Sequence, residues 1–211
     1  MLGGMTLQSA SIAACVALVS VGGFLVLLAL LHGLEPEFDP AWRWISEYEL
    51  GRWGWLMRLA FGLWSAGALA LLLALGGAGG LLGRAWLLLI VIALLGAGLF
   101  VTDPITAVTP TLAGRLHGLA GIFTILTFPI MATVLAASLA GSPQWAAARP
   151  QLLGFTLLTW VGQVAFWGTI LVSSAIHHPA GLGPQVRAGW PNRFMVVTYA
   201  LWLMALAWLA R

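Results

Sequence analysis

The chain has 211 residues, 61% hydrophobic and 7% charged, against roughly a quarter charged in soluble domains, so lipid must be the solvent for most of its surface. Its net charge of +3 comes from nine Arg and no Lys, set singly against six acids, a pattern that does not point to nucleic acid. The missing Lys excludes Schiff-base chemistry and a Walker-type phosphate site, and the single Cys15 excludes an internal disulfide, a CxxC redox pair and a four-Cys cluster.

The first apolar run covers residues 9–33. Its Ile12-Ala13-Ala14-Cys15 has the form of a lipoprotein cleavage box, but no positive charge precedes it and the apolar stretch follows the Cys. The run is therefore expected to stay as a membrane span. Further runs at 53–76, 85–101, 116–140, 152–175 and 194–210 each approach the roughly 20 residues that cross a hydrocarbon core. The expectation is all-α: a polytopic transmembrane bundle of six helices forming one domain over 1–211, with Arg84 and the Gly-rich 76–83 stretch as an extension of the third.

The connections differ in character. Residues 77–84 and 141–151 hold one Arg each and no acid, as simple turns do, whereas 34–52, 102–115 and 176–193 are rich in Pro, Trp, acids, Arg and His. Alternating spans put the first, third and fifth connections on one side, so all six acids and all four His gather there or just beneath it. Arg alone, six on the rich side against three, would place that side in the cytoplasm. Net charge, zero against +3, points the other way, and the arrangement carried forward has both termini cytoplasmic in a bacterial-type cell membrane.

Within the spans, Gly22-Gly23, Gly62, Gly67, Gly96, Gly98 and the Gly114/Gly118 pair are expected to let helix backbones approach closely. Trp42, Trp44, Trp53, Trp55, Trp167 and Trp190 are expected to form an interfacial belt. Pro129 marks a kink, and with Thr124, Thr127 and Gln163 as the polar groups near the midplane there is no charge relay for an ion pump. The His all lie near one face, which disfavours a transmembrane haem wire.

The first rich connection contains Phe38-Asp39-Pro40, Ile45-Ser46-Glu47-Tyr48 and Gly54-Trp55-Leu56-Met57. With Thr102-Asp103-Pro104, Leu116-His117-Gly118 and Gly189 to Phe194, these stretches resemble the multi-spanning family called domain of unknown function 998 over most of the chain. The resemblance implies a compact helical membrane fold and brings no activity, so site roles rest on chemistry.

Asp39 and Asp103 each precede Pro, which favours a turn or cap at a helix boundary. Ser46 with Glu49 has capping-box spacing. Buried acids at an interface need cations, so Asp39, Glu47 and Asp103 are expected to pair with Arg52, Arg115 or Arg193. The candidate acid/base groups are Asp39, Glu47, Asp103 and His117, and the candidate binding groups are Arg193, Asn192, Ser46 and Tyr48. His117 with His177 or His178 and an acid is the one conceivable metal set, but zinc-type spacing is lacking, so no metal site is expected and no cofactor is named.

Three readings follow. The first is an interface-level site that binds or processes a lipid or small amphiphile. The second is a non-catalytic assembly subunit packed against membrane-protein partners or further copies of itself, held in the lipid bilayer and touching no nucleic acid. The third is a metal-dependent hydrolase.

Overall fold

The structure, a computed structural model, describes residues 7–178 and 181–211. These form six long helices: α1 (Leu7–Leu34), α2 (Gly54–Ala74), α3 (Leu81–Leu99), α4 (Leu112–Ala140), α5 (Arg149–His177) and α6 (Gly189–Leu209). All six are long and apolar enough to cross a membrane, and the protein is a multi-pass membrane protein. Consecutive helices pack side by side, and α6 closes the ring by packing on α1 and reaching inward to α2.

Local chemistry sets the helix ends. Thr111 caps α4, its side chain accepting from the Gly114 amide at 3.0 Å. Pro150 and Pro191 fall in the first turns of α5 and α6, where an amide hydrogen has no helical partner to lose. The turn into α3 needs Gly79 and Gly80, whose φ angles are 90° and 70°. The third span does take in Arg84 and Gly83, and α6 begins five residues earlier than its apolar run, carrying Asn192 and Arg193 into the helix. The 141–151 connection is more than a simple turn, because Pro143–Ala148 winds into a short 3-10 helix.

The small residues divide into two kinds. Gly67 presses on Val21 and the Ala17 carbonyl of α1, and Gly98 lies 3.0 Å, measured to a built Cβ, from the Arg58 carbonyl of α2, so both serve close packing as expected. Gly22, Gly62 and Gly118 do not: a Cβ at any of them meets nothing within 4 Å. Gly114 instead makes room for the Asp103 carboxylate.

Pro129 removes an amide hydrogen from α4, and the carbonyl it leaves without a helical partner, that of Ile125, accepts from the Tyr199 hydroxyl of α6 at 3.0 Å. The same hydroxyl lies 2.6 Å from the Gln163 amide oxygen of α5. One hydroxyl hydrogen cannot serve both acceptors, so a Gln163 amide turned to donate to Tyr199 satisfies all three groups. The polar midplane residue Gln163 thus supports the proline position. Phe128 stacks on Tyr199 at 4.3 Å and meets Trp202 edge-on, filling the space around this tie.

Candidate functional site

The three rich connections converge over one end of the bundle. The first holds a six-residue 3-10 helix, Ile45–Leu50, which lies across the helix ends as a roof. Each neighbouring connection is bonded to it or to the turn before it. The Ile105 amide donates to Glu47 at 3.0 Å and the Thr102 amide to Glu49 at 2.8 Å, while the Gly189 amide donates to the Ala41 carbonyl at 3.1 Å. No side chain would fit at Gly189, where a Cβ would run into the Pro40 carbonyl and the Trp42 amide.

The acids do not find the cations expected of them. Asp39 is exposed and closes its own turn, accepting from the Ala41 amide at 2.9 Å. Asp103 holds the start of α4, taking the Thr111 amide at 2.7 Å and its hydroxyl at 3.1 Å. Glu47 pairs with Arg43, four residues back, at 2.6 Å, and its other oxygen accepts from the Trp44 amide at 3.0 Å. The cap of the roof helix is therefore Trp44 answered by Glu47, in place of Ser46 answered by Glu49. The helix begins two residues earlier than that spacing required, which makes Glu47 its third residue.

Arg193, expected to meet an acid, is buried among neutral acceptors instead. Its Nε donates to His32 Nε2 at 2.7 Å, one terminal nitrogen to the carbonyls of Arg43 at 2.6 Å and Gly189 at 3.0 Å, and the other to the Tyr48 hydroxyl at 3.0 Å. A guanidinium has no lone pair to offer, so His32 Nε2 must be the acceptor and its proton sits on Nδ1, 2.7 Å from the Leu28 carbonyl. A planar fork suits four partners spread over α1, the first connection and α6.

Two further carboxylates, which sequence reasoning did not place among the site candidates, are buried here. Glu35 accepts from the Trp53 amide and packs against Gly51, with its second oxygen unpartnered among the described residues. Glu49, also with one unpartnered oxygen, lies 3.5 Å from His117 Nδ1. Burial, opposed by the Thr102 amide and the Arg58 guanidinium, pushes the Glu49 carboxyl up from 4.5 to about 8. A carboxyl raised on folding stabilises the fold fully below the unfolded value and loses that contribution as pH climbs through the folded one. Thermal stability in detergent should therefore decline between about pH 5 and 8, and Glu49→Gln should flatten that decline; equal slopes in both proteins would contradict the assignment.

Beneath the roof lies a cavity of about 150 Å³, walled by α2, α3, α4 and α6. Phe61, Trp64, Leu94, Ile122, Ile125 and Val196 make its lining mostly apolar. Ser46, Thr102, His117 and Asn192 supply polar groups at the roof end, and Thr124 and Tyr199 lie deeper. From His117 to Ile125 is eight residues of α4, a depth of about 12 Å at 1.5 Å per residue. Gly118 and Ile122 both line the cavity and stand exposed on the outside of the bundle, so it reaches the surface through the α4 wall, where acyl chains would lie.

His117 Nδ1 faces the carbonyls of Ala97 at 3.0 Å and Phe100 at 2.9 Å and so carries a hydrogen, while Nε2 has no partner among the described residues. Asn192 accepts from the Ile45 amide at 3.1 Å through Oδ1, which fixes its orientation and leaves Nδ2 to the cavity. Of the candidate residues, Ser46, His117 and Asn192 thus come together at the cavity; Asp39, Glu47, Tyr48, Asp103 and Arg193 belong to the roof and its ties. Trp44, placed with the belt by its position, lines the cavity and meets Phe166 edge-on, whereas Trp55 and Trp190 are exposed as belt residues would be. His177 and His178 are exposed at the end of α5 and His178 closes that helix at φ 41°; among the described residues no three His, Cys, Asp or Glu side chains converge as a metal set.

Comparison with curated proteins and with solved structures finds no match. The family described as Protein of unknown function (DUF998) matches residues 9–209, nearly the whole chain and every residue of the roof and cavity. The chain belongs to that family, and the FDP, ISEY and GWLM stretches that mark the resemblance are the turn, the roof helix and the start of α2.

Proposed function

We propose that the protein binds a small amphiphile in the cavity, its polar end under the roof among Ser46, His117 and Asn192 and its apolar part running along α4 toward the bilayer. The observation that carries this reading is the polarity gradient of a cavity that is polar beneath the roof, apolar below, and open through Gly118 and Ile122 on a face that lipid covers. Three of the candidate acid/base groups support binding over proton transfer, since Asp39, Asp103 and Glu47 accept from backbone amides, a hydroxyl and Arg43 and do not line the cavity.

Gly121 provides the test. It lines the cavity and a Cβ there meets nothing within 4 Å, so Gly121→Leu should fill the space without disturbing the fold. Mass spectrometry of protein purified in mild detergent should find a near-stoichiometric amphiphile on the natural chain and at least a tenfold lower occupancy on Gly121→Leu, at equal or higher thermal stability. An empty cavity in both, with membrane subunits co-purifying reproducibly, would favour the assembly-subunit reading instead.

A further inference from the structure

The chemistry of the cavity narrows the class of its occupant. None of the fifteen Arg, Asp and Glu side chains is among its lining residues: Arg193, Arg43 and Arg58 spend their guanidinium groups on the roof, on Glu47 and on the Gly98 carbonyl, and Glu47 and Glu49 lie behind the lining. A charged headgroup would enter this space with no counter-ion and lose its water, at a cost of several kcal/mol. Phosphate- and carboxylate-bearing lipids are disfavoured on that ground.

The hydrogen-bonding groups that remain free are equally specific. Thr102 donates to the Asp103 carbonyl, Thr124 to the Ala120 carbonyl, and Tyr199 is committed to Ile125 and Gln163. What is left is an acceptor at His117 Nε2, a donor at Asn192 Nδ2 and the Ser46 hydroxyl, which can act as either; the indole N–H groups of Trp44 and Trp64 also lack a partner among the described residues but are fully buried. The His117 acceptor is set by two backbone carbonyls that hold its proton on Nδ1, and beside it stands a carboxyl that burial keeps largely in its uncharged form at neutral pH.

An acceptor nitrogen facing a cavity calls for a ligand with a hydrogen to give, and the neighbouring amide calls for an oxygen to receive. Resting on the cavity reading above, we propose that the occupant is an uncharged lipid with a free hydroxyl, of the long-chain alcohol or acylglycerol kind. The hydroxyl donates to His117 Nε2, a hydroxyl or ester oxygen accepts from Asn192 Nδ2, and the chain leaves past Gly118 and Ile122.

The test uses the full chain in phosphatidylcholine nanodiscs and a diazirine-bearing hexadecanol as photoprobe, with labelled residues mapped by mass spectrometry. Labelling should fall on residues 118–125 of α4, and hexadecanol should compete roughly tenfold better than hexadecyl methyl ether, which has the same chain and no hydrogen to donate. Hexadecanoate should compete no better than the ether. His117→Phe should bring the alcohol-to-ether ratio close to one; if that variant does not fold, the competition series on the natural chain decides alone. Equal competition by alcohol and ether, or a preference for hexadecanoate, would overturn the hydroxyl-lipid assignment while leaving an amphiphile cavity in place. No protectable labelling of 118–125 would remove both.

Discussion

Replacing Arg193 by Met should destabilise the protein by about 3–5 kcal/mol, which for a chain of this size lowers the thermal midpoint in detergent by roughly 10 °C or more. Truncation strips the donor from four groups at once: His32 Nε2, the Arg43 and Gly189 carbonyls and the Tyr48 hydroxyl. They lie on three separate parts of the chain, so the loss loosens the roof from α1 and from α6 together. Arg193→Lys separates geometry from charge. An ammonium keeps the positive charge but cannot present a planar fork to partners on three sides, so Lys should recover less than half of the loss. Full recovery by Lys would show that the charge alone matters and that the fork geometry does not.

Glu47→Gln should be nearly as damaging, at about 2–4 kcal/mol. An ionised Glu47 is acceptor on both oxygens, facing the Arg43 guanidinium and the Ile105 amide on one and the Trp44 amide on the other. A glutamine must turn its own NH2 toward one of these donors, which sets donor against donor and takes the counter-ion from Arg43. Asp39→Asn, an exposed acid serving its own turn, should change stability by less than about 0.5 kcal/mol in the same assay. A double-mutant cycle with Arg43→Met gives the coupling: in the Glu47→Gln background that second change should have a much smaller effect than in the natural chain. Additive effects would show that the 2.6 Å pair contributes nothing of its own.

These two residues also show what a sequence yields and what it withholds. Periodicity and length point to six spans, and alternation of the spans puts the acids and the His on one side, because both follow from the cost of unsatisfied backbone in lipid. Partner choice was a different matter. Opposite charges suggested Arg193 with an acid, but three of the four neutral acceptors its guanidinium meets lie 145 to 161 residues away, and nothing in local spacing encodes such a match. Gly118 illustrates the same limit: small-xxx-small spacing with Gly114 reads as helix packing, yet its missing side chain faces empty space that becomes a cavity only when α6 is placed opposite α4. Glu49 had a signal, an acid beside a turn motif, but its spacing from Ser46 fitted a cap equally well. Tyr199 and Pro129 could have been linked in advance, since a proline within a span frees a carbonyl that some donor on a neighbouring helix must meet.

The tie made by Arg193 has a consequence for the order in which the molecule can be completed. His32, the Arg43 carbonyl and Tyr48 leave the ribosome about 150 residues before their common donor does, roughly eight to thirty seconds at ordinary rates of synthesis. Throughout that interval the first hairpin can cross the membrane and pack, and the Thr102 and Ile105 amides can reach its polar cover, but nothing yet ties that cover to the last helix. Assembly therefore ends with the last helix, and a nascent chain stopped short of residue 193 carries the acceptors on His32, Arg43 and Tyr48 without the group that closes the clasp.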